Sequence, residues 1–395
     1  MRKISAHYIF PVGAAPLKNG IVVLDDGGLI LDVIDTGGIL REAENIEFYN
    51  GILVPGFINA HCHLELSHLR GKFAEKTGLC GFIRQVKELR ESNPDEIISE
   101  AARADREMQD NGIVAAGDIS NNALTFEVKQ KSKILYHTFV EIFTSKSVDI
   151  PAIFNNGLLL YDQLRSMGLK ASITPHAPYS VAVGLYDLIS KFATQNHSIL
   201  SVHNQESEAE NQLFLSRQGE MADFFFKDLK VAPDFIASKC INSLHATLPH
   251  LPSANGLLLV HNTFTSEADV DFAQNYSGNI SWVLCPNSNL FIEDTLPDIT
   301  MFRRKHLCLA LGTDGYTSNH HLSVLDEMKT ISRYFQDIPF RDLLQWATIN
   351  GALALGMDKI NGTIEKGKHP GLNLIHPFDF ENQKLLPESK VTVII

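Results

Sequence analysis

Short apolar runs alternate with longer amphipathic stretches over most of this chain. Eight of these runs have the length of β-strands: the run that ends at His63, and residues 112–119, 134–142, 169–175, 198–203, 256–261, 280–286 and 307–314. Helical periodicity fills the intervals, for example at 82–90, 96–111 and 324–335. Eight strands that alternate with helices predict an α/β fold, a (β/α)8 TIM barrel, with an active site at the C-terminal ends of the strands.

The two ends of the chain have a different pattern. Before residue 55 the chain contains short strands and tight turns, such as the strand at 21–24 and the turn at 25–28. After residue 362 it returns to short strands, at 372–375 and 391–395. We expect residues 1–55 and 362–395 to pair in a small β-sandwich module built from both chain ends, with the barrel at 56–361.

Composition narrows the class of protein. The chain has 395 residues and is 44% hydrophobic, which suffices for one large barrel and a smaller module. Its net charge of -12 at pH 7 disfavours nucleic acid and anionic membrane as partners, because both require a basic surface. The five cysteines form no C-x-x-C pair and fit reduced thiols in a cytoplasmic protein. Neither a convincing signal peptide nor an apolar run of membrane-helix length is present in the sequence.

The candidate metal ligands stand at the ends of predicted strands. His61 and His63 end the first strand, and residues i and i+2 of a strand point to the same side. His203 ends the fifth strand and Asp314 ends the eighth. A barrel brings these ends together, and three imidazoles with one carboxylate suit Zn²⁺, with Fe²⁺ as the alternative. Such an ion lowers the pKa of bound water to about 7, so the predicted chemistry is hydrolytic.

Two further residues stand beside those ligands. Glu206 follows His203 by three residues, so it can share the mouth of the barrel and carry protons between water and substrate without binding the metal. His261 ends the sixth strand and can hydrogen-bond the attacking water or stabilise the developing tetrahedral centre. Any one of these histidines alone would be interpreted as structural, but their common position at strand ends favours a site.

The motifs around these residues resemble a known family. The segments PGFINAHCHLELSHLRG, HNQE, VHNT, CPNSN and LGTDGYTSNHHLSVLDEM are similar to those of the amidohydrolase superfamily, within it the cytosine deaminase and chlorohydrolase-like branch. The resemblance covers almost the whole chain. It implies one divalent metal ion per chain. The sequence does not reveal the oligomeric state, although barrels of this type often form dimers, so a homodimer is one possible state. The implied metal ligands are His61, His63, His203 and Asp314, and the implied catalytic residues are Glu206, His261 and Asp314.

The fourth predicted strand bears on metal number and substrate. Two-metal relatives commonly carry a bridging carboxylated lysine at the end of this strand, whereas Lys170 stands at its opposite end here, which favours one metal. His176, just after the strand, looks like the histidine that contacts substrate in purine nucleoside deaminases of this branch. A turn histidine fixed between two prolines is the other interpretation.

Further candidate substrate contacts surround the metal-ligand segments. They are Glu65, His68, Phe82, Ser318 and Asn319, with Trp282 as another possible wall. Each has a structural alternative: Glu65 can cap a turn, the aromatic residues can pack in the core, and the loop after Asp314, with His320 and His321, can face solvent. Adenosine-type relatives hold the ribose with an acidic residue just before an aromatic one. Cys80 occupies that place here, which disfavours an adenosyl substrate.

These features together predict a metal-dependent hydrolase that uses metal-bound hydroxide to deaminate an amino-substituted nitrogen heterocycle or a nucleoside-like compound. Its partner is then a small-molecule substrate. Two alternatives stay open. One is hydrolysis of another C–N bond or a C–halogen bond at the same site, and the other is an inactive homologue that serves as a binding or scaffold protein.

Overall fold

The computed structural model describes residues 1–40, 45–229 and 240–395. The strands are β1 (Arg2–Ile9), β2 (Leu17–Lys18), β3 (Ile21–Leu24), β4 (Ile30–Ile34), β5 (Ile46–Pro55), β6 (Phe57–Cys62), β7 (Ile113–Ser120), β8 (Leu135–Ile142), β9 (Lys170–Pro175), β10 (Leu200–Asn204), β11 (Leu257–His261), β12 (Ile280–Leu284), β13 (Cys308–Leu311), β14 (Leu372–Asp379) and β15 (Lys384–Val393).

The α-helices are α1 (Gly78–Leu89), α2 (Pro94–Asp110), α3 (Phe126–Lys131), α4 (Ile150–Ser166), α5 (Val183–Asn196), α6 (Glu208–Ser216), α7 (Glu220–Asp223), α8 (Ser243–Thr247), α9 (Glu267–Tyr276), α10 (Pro286–Glu293), α11 (Ile299–Arg304), α12 (Val324–Tyr334), α13 (Phe340–Ala347) and α14 (Ile349–Ala354). Short 3-10 turns occupy Leu64–Leu69, Ser147–Asp149, Pro178–Ser180 and Leu248–His250, and a π-helical turn spans Phe224–Asp228. Within the described ranges, no helix combines the length and apolar character needed to cross a membrane.

The eight predicted barrel strands are confirmed as β6 to β13. They form two four-stranded parallel sheets, β6-β7-β8-β9 and β10-β11-β12-β13. At one seam between the sheets, the amides of Thr313 and Asp314 donate to the carbonyl of His61 at 3.0 and 3.1 Å. At the other seam, the amide of His203 donates to the carbonyl of His176 at 3.0 Å. Both seams therefore lie at predicted site residues.

A β-bulge in β6 turns the first two histidines toward the barrel interior. Asn59 pairs with Ala116 and Cys62 pairs with Asp118. Between these two pairs, β6 therefore contains one residue more than β7. Ile58 and Ala60 pack in the interior cluster of the barrel, whereas Cys62 packs in the core beneath the helices. The bulge thus shifts the alternation by one residue. Such bulges recur beside active sites, where they redirect a side chain.

The strands from the two chain ends form one seven-stranded sheet. Its order is β15-β14-β5-β1-β3-β4, with β2 paired to β1. β5 joins β14 in register Leu53 to Leu374, and Gly56 then leads from β5 directly into the barrel. A Cβ atom on Gly56 would lie 2.3 Å from Cγ1 of Val114, so only glycine fits this junction. We keep 1–55 with 362–395 and 56–361 as the proposed domains.

The barrel helices cover the strands with amphipathic faces, as α2 illustrates. The side chain of Asn93 caps this helix by accepting from the amide of Asp95, and Pro94 occupies its first turn. Its buried face recurs at helical spacing and consists of Ile97, Ala101, Ala104, Asp105 and Met108. The chain then turns into β7 at Gly112, where φ is 75°. The helix is confirmed at the place the periodicity predicts.

Candidate active site

Three imidazoles and one carboxylate converge where β6, β10 and β13 end. The Nε2 atom of His63 lies 3.1 Å from Nε2 of His61 and 3.3 Å from Nε2 of His203. The Oδ1 atom of Asp314 lies 3.3 Å from Nε2 of His63 and 3.6 Å from Nε2 of His61. The four side chains are at most 12% exposed. The structure therefore brings together the residues that the sequence predicts as metal ligands.

The electrostatics of this cluster fit a divalent cation. Burial lowers the pKa of His63 to about 3 and holds the pKa of His203 well below its usual range, so both rings are neutral at pH 7. Nδ1 of His203 donates to the carbonyl of His176 at 2.9 Å, which leaves the Nε2 lone pair facing the other rings. Ring nitrogens that meet at 3.1 and 3.3 Å beside a carboxylate are arranged so that a cation among them could bind all four side chains. Neutral imidazoles with a carboxylate are ligands that zinc accepts.

Left-handed backbone conformations direct two of these chain segments into the barrel mouth. His261 has a φ of 74° and Asp314 a φ of 54°, a region that residues with side chains rarely adopt. Such conformations cost on the order of 1–3 kcal/mol and concentrate at functional sites. Here they occur just where β11 and β13 end, and each residue turns toward the shared cluster.

Neighbouring hydroxyls hold the Asp314 carboxylate. Its Oδ2 atom accepts from Oγ of Ser288 at 2.8 Å and from Oγ of Ser318. Burial acts to raise the pKa of Asp314, but the hydrogen bond with His61 and the electrostatic interactions with the neighbouring imidazoles outweigh it and keep the pKa well below its usual value. The carboxylate is thus ionised and fixed in orientation, with Oδ1 directed at the imidazoles.

Glu206 and His261 form a second pair beside the cluster. Oε1 of Glu206 lies 3.6 Å from Nε2 of His261. Burial, together with the charges of Asp314 and Glu293, raises the pKa of Glu206 well above its usual value. Nδ1 of His261 lies 3.0 Å from Oδ1 of Asn289, whose amide group approaches the His261 carbonyl at 3.5 Å, so the ring donates through Nδ1. Its Nε2 lone pair then faces Glu206.

A cavity of about 620 Å³ opens above these groups. Its lining contains the cluster residues His63, His203 and Asp314, together with Glu206, His261 and the predicted contacts His176 and Phe82. Nδ1 of His176 pairs with Oγ of Ser180 at 2.7 Å, and its ring lies 4.9 Å from the His203 ring. Apolar residues form much of the remaining wall, including Leu66, Ile83, Val86, Phe143, Phe224 and Phe225.

Other predicted contacts lie behind the wall rather than in it. Oε2 of Glu65 accepts from the amide of Asn121 at 2.9 Å, and Nε2 of His68 lies 3.0 Å from the Arg90 carbonyl. Nδ2 of Asn319 donates to Glu327 at 2.8 Å. Along with Ser318, which holds Asp314, these side chains are buried but are not part of the described lining of this cavity. Their observed contacts are with protein groups, which fits a supporting rather than a direct role.

Three remaining sequence candidates also lie outside the cavity. Trp282 is 1% exposed and its ring packs 5.6 Å from that of Phe302. His320 and His321 are more than half exposed and lie near Glu75 and Glu107. The core alternative therefore describes Trp282, and the solvent alternative describes the two histidines.

Sequence reasoning missed two groups at this end of the barrel. Glu141, one residue before the end of β8, lines the cavity with its carboxylate. Its position at the end of a predicted strand was the signal that could have found it. Asp118 and Lys129 form a fully buried ion pair at 2.5 Å behind β6. No sequence pattern predicts the Asp118–Lys129 pair, because a lysine on a short helix normally faces solvent.

Comparison with known proteins places the chain in a family. The amidohydrolase family model matches residues 52–394. The chain belongs to the amidohydrolase family. This amidohydrolase is 27% identical over 410 residues to a 5-methylthioadenosine/S-adenosylhomocysteine deaminase of Saccharophagus degradans, covering 97% of this chain and 84% of the relative. The predicted resemblance to this superfamily is confirmed.

Two solved structures share the amidohydrolase fold. Helicobacter pylori aminofutalosine deaminase, in complex with methylthio-coformycin, superposes with a TM-score of 0.80 at 24% identity over 96% of this chain and 93% of that one. An adenosine deaminase from Xanthomonas campestris with bound zinc gives a TM-score of 0.73 at 23% identity over 97% and 86%. The likeness in fold extends over both the barrel and the sheet of the chain ends.

Proposed function

We propose that this amidohydrolase is a metal-dependent deaminase that releases ammonia from an amino-substituted nitrogen heterocycle or nucleoside-like compound. The observation that carries the proposal is the convergence of His61, His63, His203 and Asp314 beneath a cavity that also holds Glu206 and His261. The related 5-methylthioadenosine/S-adenosylhomocysteine deaminase, aligned over nearly the whole chain, supports the same reaction class.

We assign the metal to His61, His63, His203 and Asp314, with zinc favoured because the Xanthomonas campestris neighbour contains zinc, and iron as the alternative. A metal bound there supplies positive charge that acidifies water and polarises the substrate. One ion per chain is supported by Lys170, whose Nζ is exposed at the start of β9 and donates to the Gly356 carbonyl at 3.3 Å. It is therefore not a bridging ligand at the end of that strand.

Glu206 is proposed as the proton carrier. Burial raises the pKa of Glu206 well above its usual value, which suits a carboxyl group that must hold and release a proton. The acid can then protonate a ring nitrogen, which makes the adjacent amine-bearing carbon electrophilic to water. After attack, the proton that Asp314 accepted from water passes to the amino group, the C–N bond breaks to release ammonia, and the hydroxyl proton of the intermediate returns to Glu206 as the carbonyl forms. Glu206 does not need to bind the metal for this role.

His261 and Asp314 are proposed to handle the attacking water. The Nε2 lone pair of His261, fixed by the Asn289 contact, can accept a hydrogen bond from that water and orient it. The ionised Asp314 carboxylate, fixed by Ser288 and Ser318, can accept its proton. Both groups are held before substrate arrives, which avoids reorganisation during the reaction.

His176 and Phe82 are proposed as direct substrate contacts, because both line the cavity. Glu65, His68, Ser318 and Asn319 are proposed to act indirectly by supporting the wall residues that do. A small molecule is the expected partner, since the cavity volume of about 620 Å³ is typical of small-molecule sites.

An ammonia-release assay on zinc-loaded protein tests this proposal. The panel should contain aminopurines, aminopyrimidines, their nucleosides and aminated triazines. We expect turnover of at least one class with stoichiometric ammonia. Hydrolysis of cyclic amides or N-acyl compounds without ammonia would contradict the deaminase assignment, and a fully metal-loaded protein that is inert on the whole panel would favour the scaffold alternative.

A further inference from the structure

The Glu206 carboxyl group is not held in place through its own oxygens. No described residue donates a hydrogen bond to it, and Nε2 of His261 lies 3.6 Å from its Oε1 atom. The Asp314 carboxylate, by contrast, is fixed by the hydroxyls of Ser288 and Ser318. The direction in which Glu206 points therefore depends mainly on the backbone that carries it.

Glu210 holds that backbone from the first turn of α6. Its side chain is completely buried, and its Oε1 atom accepts from the amide of Gln205 at 3.2 Å while Oε2 accepts from the amide of Glu206 at 3.0 Å. Burial raises the pKa of Glu210 to about 8, so a carboxyl group is costly at this position. Glu210 is not part of the described cavity lining, yet it binds both amides of the segment that carries Glu206.

The bond to Gln205 fixes a turn with a left-handed conformation. Gln205 has a φ of 45° and is completely buried. Its side chain is anchored as well, because Oε1 accepts from Oγ1 of Thr265 at 2.7 Å and Nε2 donates to Asp269 at 3.2 Å. This turn lies between the proposed ligand His203 and Glu206. A rotation of the turn would therefore move Glu206 relative to the metal site.

Capping of α6 does not by itself explain the contacts of Glu210. Ser207 caps this helix by accepting from the amide of Glu210 at 3.1 Å. In a reciprocal capping box, the third helical residue accepts from the amide of the cap residue, as Asp269 does from Ser266 at the start of α9. In the described contacts of α6, the third residue accepts instead from the two residues before the cap. Its carboxyl group thus serves the segment that carries Glu206.

We propose that Glu210 is a positioning residue for proton transfer: it holds the amides of Gln205 and Glu206 so that the Glu206 carboxyl group faces His261 and the cavity. The inference rests on the role proposed for Glu206 and adds a residue that lies outside the cavity lining. A displacement of about 1 Å in a catalytic group can lower a rate roughly 10²-fold. Glu210 therefore acts on the chemical step rather than on substrate affinity.

The variant that tests this role is Glu210→Gln, which keeps the size of the side chain but directs an NH2 group at one of the two amides. Ser207→Ala is the matched control, because it weakens the cap of α6 and leaves both bonds of the Glu210 carboxyl group in place. The zinc-loaded proteins are assayed for ammonia release from adenine, cytosine, adenosine and melamine. Glu210→Gln should lower kcat roughly 10- to 100-fold with KM within about threefold and zinc content unchanged, whereas Ser207→Ala should stay within about threefold of wild type.

A double-mutant cycle with Glu206→Gln separates positioning from general support of the fold. If Glu210 acts through Glu206, the double variant should have a kcat within about threefold of that of Glu206→Gln alone. A further loss of about tenfold or more in the double variant would overturn the inference. Equal losses in Glu210→Gln and Ser207→Ala, or loss of zinc from Glu210→Gln, would also overturn it.

Crystal structures of the zinc-loaded wild type and Glu210→Gln test the inference independently of turnover. The Glu206 carboxyl group should move by about 1 Å or more, together with a change in the turn at Gln205. A variant structure with Glu206 in its wild-type position would overturn the inference. Absence of ammonia release by the wild type from the whole heterocycle panel would remove the deaminase assignment alone, and the two structures would still show whether Glu210 positions Glu206.

Discussion

Two groups of buried polar side chains lie on opposite faces of β6. On the inner face, His61 and His63 meet His203 and Asp314 at distances of 3.1 to 3.6 Å. Their ring nitrogens face one another, and Nδ1 of His61 is buried without a partner among the described residues. This group is incomplete as a set of protein contacts, so it is built to receive something else.

The outer face of the same strand has a group that is complete. Nζ of Lys129 contacts Oδ2 of Asp118 at 2.5 Å, Oγ of Ser120 at 2.7 Å and Oγ1 of Thr138 at 3.2 Å. Oδ1 of Asp118 accepts from the amide of Leu64, the residue after His63, at 2.7 Å. The lysine thus uses its three donors, and the carboxylate ties the histidine segment to β7.

The two groups are buried for different reasons. The inner group serves the chemistry of the site, whereas the Asp118–Lys129 pair holds the strands together. A substitution in the inner group, or in Glu206 beside it, should change activity while leaving folding nearly intact, because active-site groups are commonly held at a cost to stability. A substitution in the outer pair should change stability first, because it strands a charge in a water-free environment. Two single variants can test that division.

The largest expected effect is on catalysis at Glu206. Glu206→Gln keeps the shape of the side chain but removes the transferable proton, so kcat should fall by roughly 10² to 10⁴. Metal content and the midpoint of thermal unfolding should stay at or above wild-type values. Steady-state ammonia release, elemental analysis and calorimetry give the three quantities. Loss of metal in this variant would show that Glu206 is a ligand, and a large fall in the unfolding midpoint would break the proposed division.

The next effect is on stability at Lys129. Lys129→Met removes one partner of a fully buried pair and should lower the free energy of unfolding by about 3–5 kcal/mol. Denaturant titration of the metal-loaded protein measures it. As a matched control, Asp118→Asn combined with Lys129→Met removes both charges and keeps an acceptor for the Leu64 amide, so it should recover much of the loss. A single variant as stable as the wild type would contradict the architectural role of the pair.

The sequence predicts the barrel strands better than it predicts the bulge in β6 or the pairing of the chain ends. The eight barrel strands and the shared position of His61, His203 and Asp314 follow from local periodicity and the general geometry of barrels. The bulge in β6 depends on how that strand registers against β7, and no local pattern encodes it. The seven-stranded arrangement of the chain ends likewise depends on pairing between residues more than 300 positions apart.

The same distinction between local pattern and tertiary packing applies to individual site residues. Histidines at strand ends carry a chemical signal in their residue type, so they were identified. Glu65 and His68 have residue types that suggest substrate contact, but their partners, Asn121 and Arg90, are set by tertiary packing. Lys129 was missed because its burial depends on Asp118, a residue of another element. Cytoplasmic location and a homodimeric state stay predictions.

The metal content of the purified protein decides whether His61, His63, His203 and Asp314 form a metal site. We expect about one equivalent of zinc or iron per chain in wild type after metal-supplemented expression, since three imidazoles and one carboxylate form a single site. His203→Ala should lose the ion while retaining the far-ultraviolet circular dichroism of the wild type. Two equivalents per chain, no metal in the wild type, or full retention by a folded His203→Ala variant would contradict the mononuclear site.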